Sequence, residues 1–342
     1  MKKALILFFL LINSVWPLNG QKYDLTLLPV DVVSSFRGLS VVDDRVAWVS
    51  GTGGTVGRTI DGGKEWLFTA VKGFEKTDFR TLYAFNELEA VIANAGSPSY
   101  ILRTDDGGAT WVVVYENTDP LVFFDGADFW NKYNGLIYGD PLGGRMFVMK
   151  TTDGGHTWIE LAYESRPSVS DGEASFAASG TGIRCYDRNR AVMVTGGEVS
   201  RLLISDDRGD SWLSILLPVI QGSATTGAFS VAFRSKKQAV IVGGDYTKEN
   251  LTGDHVFYTN NAGKDWQAPA LSTGGFRECV IFLDKKTLMT VGPGGSDFST
   301  DAGRSWQPLS GEKGLHVAAR ARRGSLVLAA GNRKIAVIST IE

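Results

Sequence analysis

Eight residues, Thr59-Ile60-Asp61-Gly62-Gly63-Lys64-Glu65-Trp66, occur in six versions along the chain. The others are Thr104–Trp111, Thr151–Trp158, Ser205–Trp212, Thr259–Trp266 and Ser299–Trp306. The shared pattern is Ser/Thr-x-Asp-x-Gly-x-x-Trp, with Asn261 in place of Asp in the fifth copy. Chemically this is a tight turn between two strands. A short carboxylate or amide accepts nearby backbone N–H groups and closes an Asx-type turn. The glycine at the fifth position allows a positive φ. The hydroxyl residue adds a second polar group, and Trp adds a large apolar body. Six near-identical turns cannot all be active sites. Asp61, Asp106, Asp153, Asp207, Asn261 and Asp301 therefore read as structural latches, together with Trp66, Trp111, Trp158, Trp212, Trp266 and Trp306. Each turn offers one or two side-chain oxygens, too few for a Ca²⁺ site.

The tryptophans stand at 66, 111, 158, 212, 266 and 306, so successive steps are 45, 47, 54, 54 and 40 residues. Periods of this length indicate solenoids or propellers, and here match one four-stranded blade with variable loops. In the first unit, strands are expected at 36–42, 45–50, 55–59 and 66–71, apolar and β-branched runs bounded by Gly and Asp. No stretch carries a sustained helical period. Beyond Trp306 three further strands follow at 314–322, 324–330 and 334–340, without a box. A seventh blade would thus lack one strand, which residues 23–30 can supply. Closing the ring this way removes open sheet edges. The expectation is an all-β, seven-bladed β-propeller of four-stranded antiparallel blades, one domain over 21–342, closed by its N-terminal strand. A six-bladed ring would leave a tail too apolar to hang free.

The octapeptide resembles the Asp-box, or BNR repeat, of β-propellers such as sialidases and sortilin-type receptors. Gly54-Thr55-Val56-Gly57-Arg58-Thr59 followed by Asp-Gly-Gly-x-x-Trp is similar to the photosystem II stability/assembly factor-like propellers. The resemblance spans nearly the whole chain after residue 20. It implies the propeller fold and an assembly or stability role in which an arginine-bearing face meets a protein partner. Fold alone does not fix function.

Residues 1–20 begin with Lys2 and Lys3 and continue with the apolar run 4–12, the form of a secretory signal peptide. The apolar run is too short for a stable membrane span. Export to the periplasm or exterior is expected, with no transmembrane segment after cleavage. Losing the two lysines takes the formal charge from −2 to −4. That balance gives no electrostatic case for a nucleic-acid partner. The two cysteines, Cys185 and Cys279, fall in non-neighbouring blades and read as small apolar residues rather than a disulfide. His156, His255 and His316 lie far apart in the repeat, so no metal site is expected. No cofactor fingerprint occurs, and a monomer is expected.

Box turns join the third and fourth strands of a blade, so loops entering each first strand lie on the opposite face. Three first strands begin alike, with Phe36-Arg37, Phe79-Arg80 and Phe276-Arg277; the seventh has Leu315-His316. Arg37, Arg80, Arg277 and His316 are then expected to form a basic arc at one channel mouth. Arginine forks there suit a carboxylate, sulfate or phosphate group; alternatively they pair with Asp125, Asp128 or Glu173 and line a wet channel. The segment 173–180 is small and apolar for a loop. It reads either as a packed connector or as a piece that tucks into the mouth and places Glu173 opposite the arginines.

Two functional classes follow. One is a non-enzymatic binding or assembly protein whose arginine-lined face takes a protein partner or an anionic or carbohydrate ligand. No nucleophile triad or phosphate loop occurs. The other is a sialidase-like glycoside hydrolase or carbohydrate-binding propeller, since Phe36-Arg37-Gly38-Leu39 faintly resembles the Phe/Tyr-Arg-Ile-Pro motif of those enzymes. Gly38-Leu39 departs from Ile-Pro. Glu173, Asp140, Tyr138 and Asp245 are the catalytic candidates for that reading.

Overall fold

The computed structural model describes residues 23–341. The leader-like residues 1–20 lie outside them. Seven antiparallel sheets follow one another around a ring. Their innermost strands are Phe36–Val41, Phe79–Ala84, Phe124–Phe129, Ile183–Tyr186, Thr226–Phe233, Cys279–Phe282 and Leu315–Arg320. Each contacts the next, and the seventh contacts the first, so the ring is closed. No α-helix occurs among the described residues; Tyr163–Ser165 form one 3₁₀ turn.

Closure uses both ends of the described chain. Tyr23–Leu28 pairs with Lys334–Thr340 as the outermost strand of blade 7, in register from Tyr23↔Thr340 to Leu28↔Ile335. The seventh blade is therefore completed as expected. Blade 5 is the irregular one. Two-residue strands Glu173–Ala174 and Gly196–Gly197 extend its inner edge. Its outer strand shrinks to the bridge Tyr258–Gln267, two backbone bonds of 2.9 Å each.

The blades stack through apolar faces. Trp48, fully buried, lies edge-on to Trp111 at 6.4 Å and joins blades 1 and 2. Such pairs add to the burial of the ring area itself.

The box turns have the chemistry that their sequence implies. In the second, the Thr104 hydroxyl donates to Asp106 Oδ1 (2.9 Å) and accepts the Gly108 amide (3.0 Å). The Thr110 amide and hydroxyl donate to the same carboxylate at 2.9 and 2.6 Å. Gly63, Gly108, Gly155, Gly209, Gly263 and Gly303 all have φ between 81° and 92°, a region closed to most side chains.

The exception, Asn261, is matched by its neighbour. Where four of the other boxes hold Thr or Ser as donor, this one holds Asp265, which accepts the Asn261 amide at 2.7 Å. Asn261→Asp would set two carboxylates face to face. It is expected to lower stability at pH 7 by on the order of 1 kcal/mol. Asp265→Ser in the same chain should restore it, as read by urea melts.

Five boxes carry a titrating aspartate. Hydrogen bonds from Thr110 and Thr104 hold Asp106 down at about 2. The amide of Glu65 and the hydroxyl of Thr59 lower Asp61. Asp153, Asp207 and Asp301 are lowered too, because donors such as Thr157, Ser211 and Ser305 outweigh burial, which acts the other way. A carboxyl depressed in the fold stabilises it above the unfolded pKa and loses that contribution as pH falls through the folded value. Stability is expected to decline between roughly pH 4 and pH 2. Urea midpoints across that range test this, and Asp106→Asn should flatten part of the slope.

Candidate functional site

Each innermost strand enters the ring on the face opposite the box turns. In blades 1, 2, 3, 5 and 7 it enters with a bulge, at Phe36/Gly38, Phe79/Thr81, Phe124/Gly126, Ala228/Ser230 and Leu315/Val317. A bulge leaves one residue unpaired and re-aims its side chain. Those residues are Arg37, Arg80, Asp125, Phe229 and His316, and all five line one cavity of about 550 Å³ at the channel mouth.

Blade 6 departs from the expected frame. Glu278, not Arg277, occupies its place in the mouth. Gly292, at the end of the second strand, lies against the backbone of Phe276 and Arg277, as Gly331 does against Gly314 and Leu315. The resemblance of Phe276-Arg277 to Phe36-Arg37 is thus displaced by one residue. Arg277 instead turns inward, where its Nε and Nη2 meet Asp297 Oδ2 at 2.7 and 2.6 Å, both side chains buried. The expected four-member basic arc is a mixed one. Glu278 accepts Arg37 Nη1 at 3.0 Å and lies 2.6 Å from His316 Nδ1. Arg80 pairs with Asp78 at 2.7 Å and keeps a third of its side chain exposed.

The segment 175–181 crosses the channel. Arg37 donates to the Ala178 carbonyl (2.8 Å) and Arg80 to that of Ala177 (3.4 Å). The Ser175 amide donates to Asp140 (3.0 Å). The Ser179 hydroxyl donates to the Glu278 carbonyl (2.8 Å), and Thr181 and Ser230 share a 2.6 Å hydroxyl contact. Blades 1, 2, 3, 5 and 6 all hold it. Small residues let it pass: a Cβ on Gly126 would come within 3.0 Å of the Gly180 carbonyl oxygen. The channel is divided by a septum, with Ala177 and Ala178 facing one chamber and Ser179, Gly180 and Thr181 the other.

One wall of the mouth chamber is aromatic. Phe176 stacks flat on Phe229 at 3.8 Å, Phe276 meets Phe229 edge-on at 4.7 Å, and half-exposed Tyr246 closes the group. The other wall is charged. Asp125 is fully buried and neither carboxylate oxygen finds a partner among the described residues. Burial, then the charge of Asp140, push its pKa well up against the pull of Arg80. Burial raises Asp140 as well.

The four catalytic candidates do not converge. Only Asp140 lines the mouth. Glu173 enters with the septum strand but turns away from the arginines. It lies buried against the Thr195 hydroxyl (2.6 Å) and Arg201 (3.2 Å). Tyr138 is a core residue packed with Met146 and Ile183, its phenol pushed well up by burial. Asp245 caps its own loop through the Thr247 amide and hydroxyl at 3.0 and 2.7 Å. Asp128, the other acid at the start of blade 3, faces the chamber below the septum. Both cysteines are free; Cys279 is buried, whereas Cys185 is partly exposed. No cluster of metal-binding side chains occurs among the described residues.

Ring, box latches and strand closure define a seven-bladed BNR-type β-propeller. Its first third resembles the YCF48 family. Residues 19–120 match the family model described as "Photosynthesis system II assembly factor YCF48". The solved structure "YCF48 bound to D1 peptide" superposes with a TM-score of 0.68 at 15% identity, covering 95% of this chain and 99% of that one. YCF48 from Cyanidioschyzon merolae gives 0.64 at 17% identity, covering 92% and 98%. A streptogramin B lyase gives 0.67 at 12% identity, covering 94% and 98%, so the ring shape itself is common to binders and enzymes. No curated protein matches the sequence.

Proposed function

We propose that the chain is a non-enzymatic, protein-binding propeller of the assembly-factor type, and that it takes an acidic peptide segment in the septum-floored mouth. The observation that carries this is the mouth itself. Arg80 is half free, an aromatic wall stands opposite, and the septum closes the floor, giving a blind bowl rather than a pore. Arginine forks hold carboxylates in a fixed geometry, and the rings supply apolar contact. The solved YCF48 neighbour carries a peptide, which supports a peptide rather than a sugar. The leader-like residues 1–20 support action outside the cytoplasm, which fractionation of the tagged full-length protein would test.

The direct test is calorimetry with an acidic peptide bearing a free α-carboxylate, and with its amidated, Gln-substituted counterpart. The acidic peptide is expected to bind, and Arg80→Ala to weaken it by about tenfold, the scale of one charge-assisted bond. Arg80 and Asp78 form a partly exposed pair, so stability should change by about 0–1 kcal/mol. Equal binding of both peptides, or no effect of Arg80→Ala, would remove the mouth from the function.

A further inference from the structure

Below the septum lies a second chamber of about 380 Å³, open on the face of the box turns. Its size falls in the range of small-molecule sites. Four arginines line it, Arg80 from blade 2, Arg184 from blade 4 and Arg320 and Arg322 from blade 7, against one lining carboxylate, Asp128. The Asp128 oxygens are already taken by the amides of Phe129 (2.9 Å) and Cys185 (2.8 Å). Arg322 is stacked 4.5 Å over Tyr83 and held by the Ser40 hydroxyl and the Ala84 carbonyl.

Arg184 is the telling residue. It is partly buried inside the chamber. Among the described residues its guanidinium makes one long hydrogen bond, 3.5 Å to the Ile183 carbonyl, and no ion pair. A guanidinium carries five donors, so Arg184, which lines the chamber, keeps donors available to a ligand there. The walls beside it are apolar. Tyr186 stacks on Phe233 at 4.9 Å, and Tyr83 packs on Phe129 at 4.5 Å, making flat surfaces on two sides.

We infer that this chamber is a binding site for a small amphipathic anion, a planar apolar body carrying one carboxylate, with Arg184 as the anchor and the ring-lined walls as the slot. Arg320 and Arg322 stand at the lip and draw the anion in. The body supplies burial that a bare inorganic ion lacks, and the carboxylate supplies the acceptor that Arg184 lacks. The septum lies between this site and the mouth chamber, and Arg80 borders both.

The test is calorimetry on the full protein with 2-naphthoate, with 2-naphthalenemethanol as the uncharged body and sulfate as the bare anion. Naphthoate is expected to bind at least about tenfold more tightly than either control. Arg184→Gln should weaken it by a similar factor. Ala319→Trp, which fills the chamber and keeps every charge, should abolish it. Should either variant fold poorly, hydrogen exchange of the unaltered protein decides. Naphthoate is expected to protect amides near Phe233, Tyr186 and Ile281. Protection elsewhere, no preference over the alcohol, or full binding by a folded Arg184→Gln or Ala319→Trp would overturn the inference.

Discussion

Asp297→Ala is expected to destabilise the propeller by about 3–5 kcal/mol, because it leaves the buried Arg277 guanidinium without its counterion. Both side chains are buried, at 3% exposure each. Arg277 keeps only the carbonyl of Phe276 (2.8 Å) for its remaining charge. The attraction within such a pair offsets a large desolvation cost, so removing one partner is far worse than removing both. Arg277→Met together with Asp297→Leu should therefore recover most of the loss. Urea denaturation of the four members of this cycle measures it. A single-variant loss below about 1 kcal/mol would mean that water reaches the pair.

Removing residues 23–28 is expected to have an effect of comparable size, on the order of 5 kcal/mol, and to change the solution behaviour as well. The deleted strand carries Tyr23, buried, and Leu25 and Leu28, which pack against the blade 7 core. It also covers the edge of Lys334–Thr340, where Ile335, Ala336, Val337 and Ile338 lie in sequence. An uncovered apolar edge recruits other chains. Light scattering should show association of the shortened protein. A synthetic peptide of residues 23–30 added in excess should reverse the association and restore the melting temperature. A shortened ring that does not associate and keeps an unchanged melt would show that closure does not depend on this strand.

The ring was legible in the sequence because its cause is local and repeated. A hydroxyl, a carboxylate and a glycine at fixed offsets specify one turn wherever they occur, and Trp66 to Trp306 mark six of the seven blades. The missing seventh outer strand could be assigned because an apolar run at 23–30 had no other place. The mouth was legible only in part. Arg37, Arg80 and His316 follow strand starts that look alike, and they do meet. Glu278 was hidden because a one-residue displacement in blade 6 is set by how Gly292 packs against the backbone, which no local pattern records. Glu173 was misplaced for a similar reason. Its pairing with Gly197 turns it toward Thr195 and Arg201, which are distant in sequence. Arg184 carried no signal, since a single arginine in a strand is commonplace and only ring closure shows that it faces a chamber.

The septum at 175–181 changes what traffic through the ring can be. An open annulus can be threaded, and a molecule held in it can be pushed out from behind. Here every occupant must back out by the route it entered. Arrival and departure on each face share one doorway, so blocking that doorway slows both rates together and leaves the equilibrium where it was. A bulky capping partner on one face would therefore act as a timer for that side, with no access to the other.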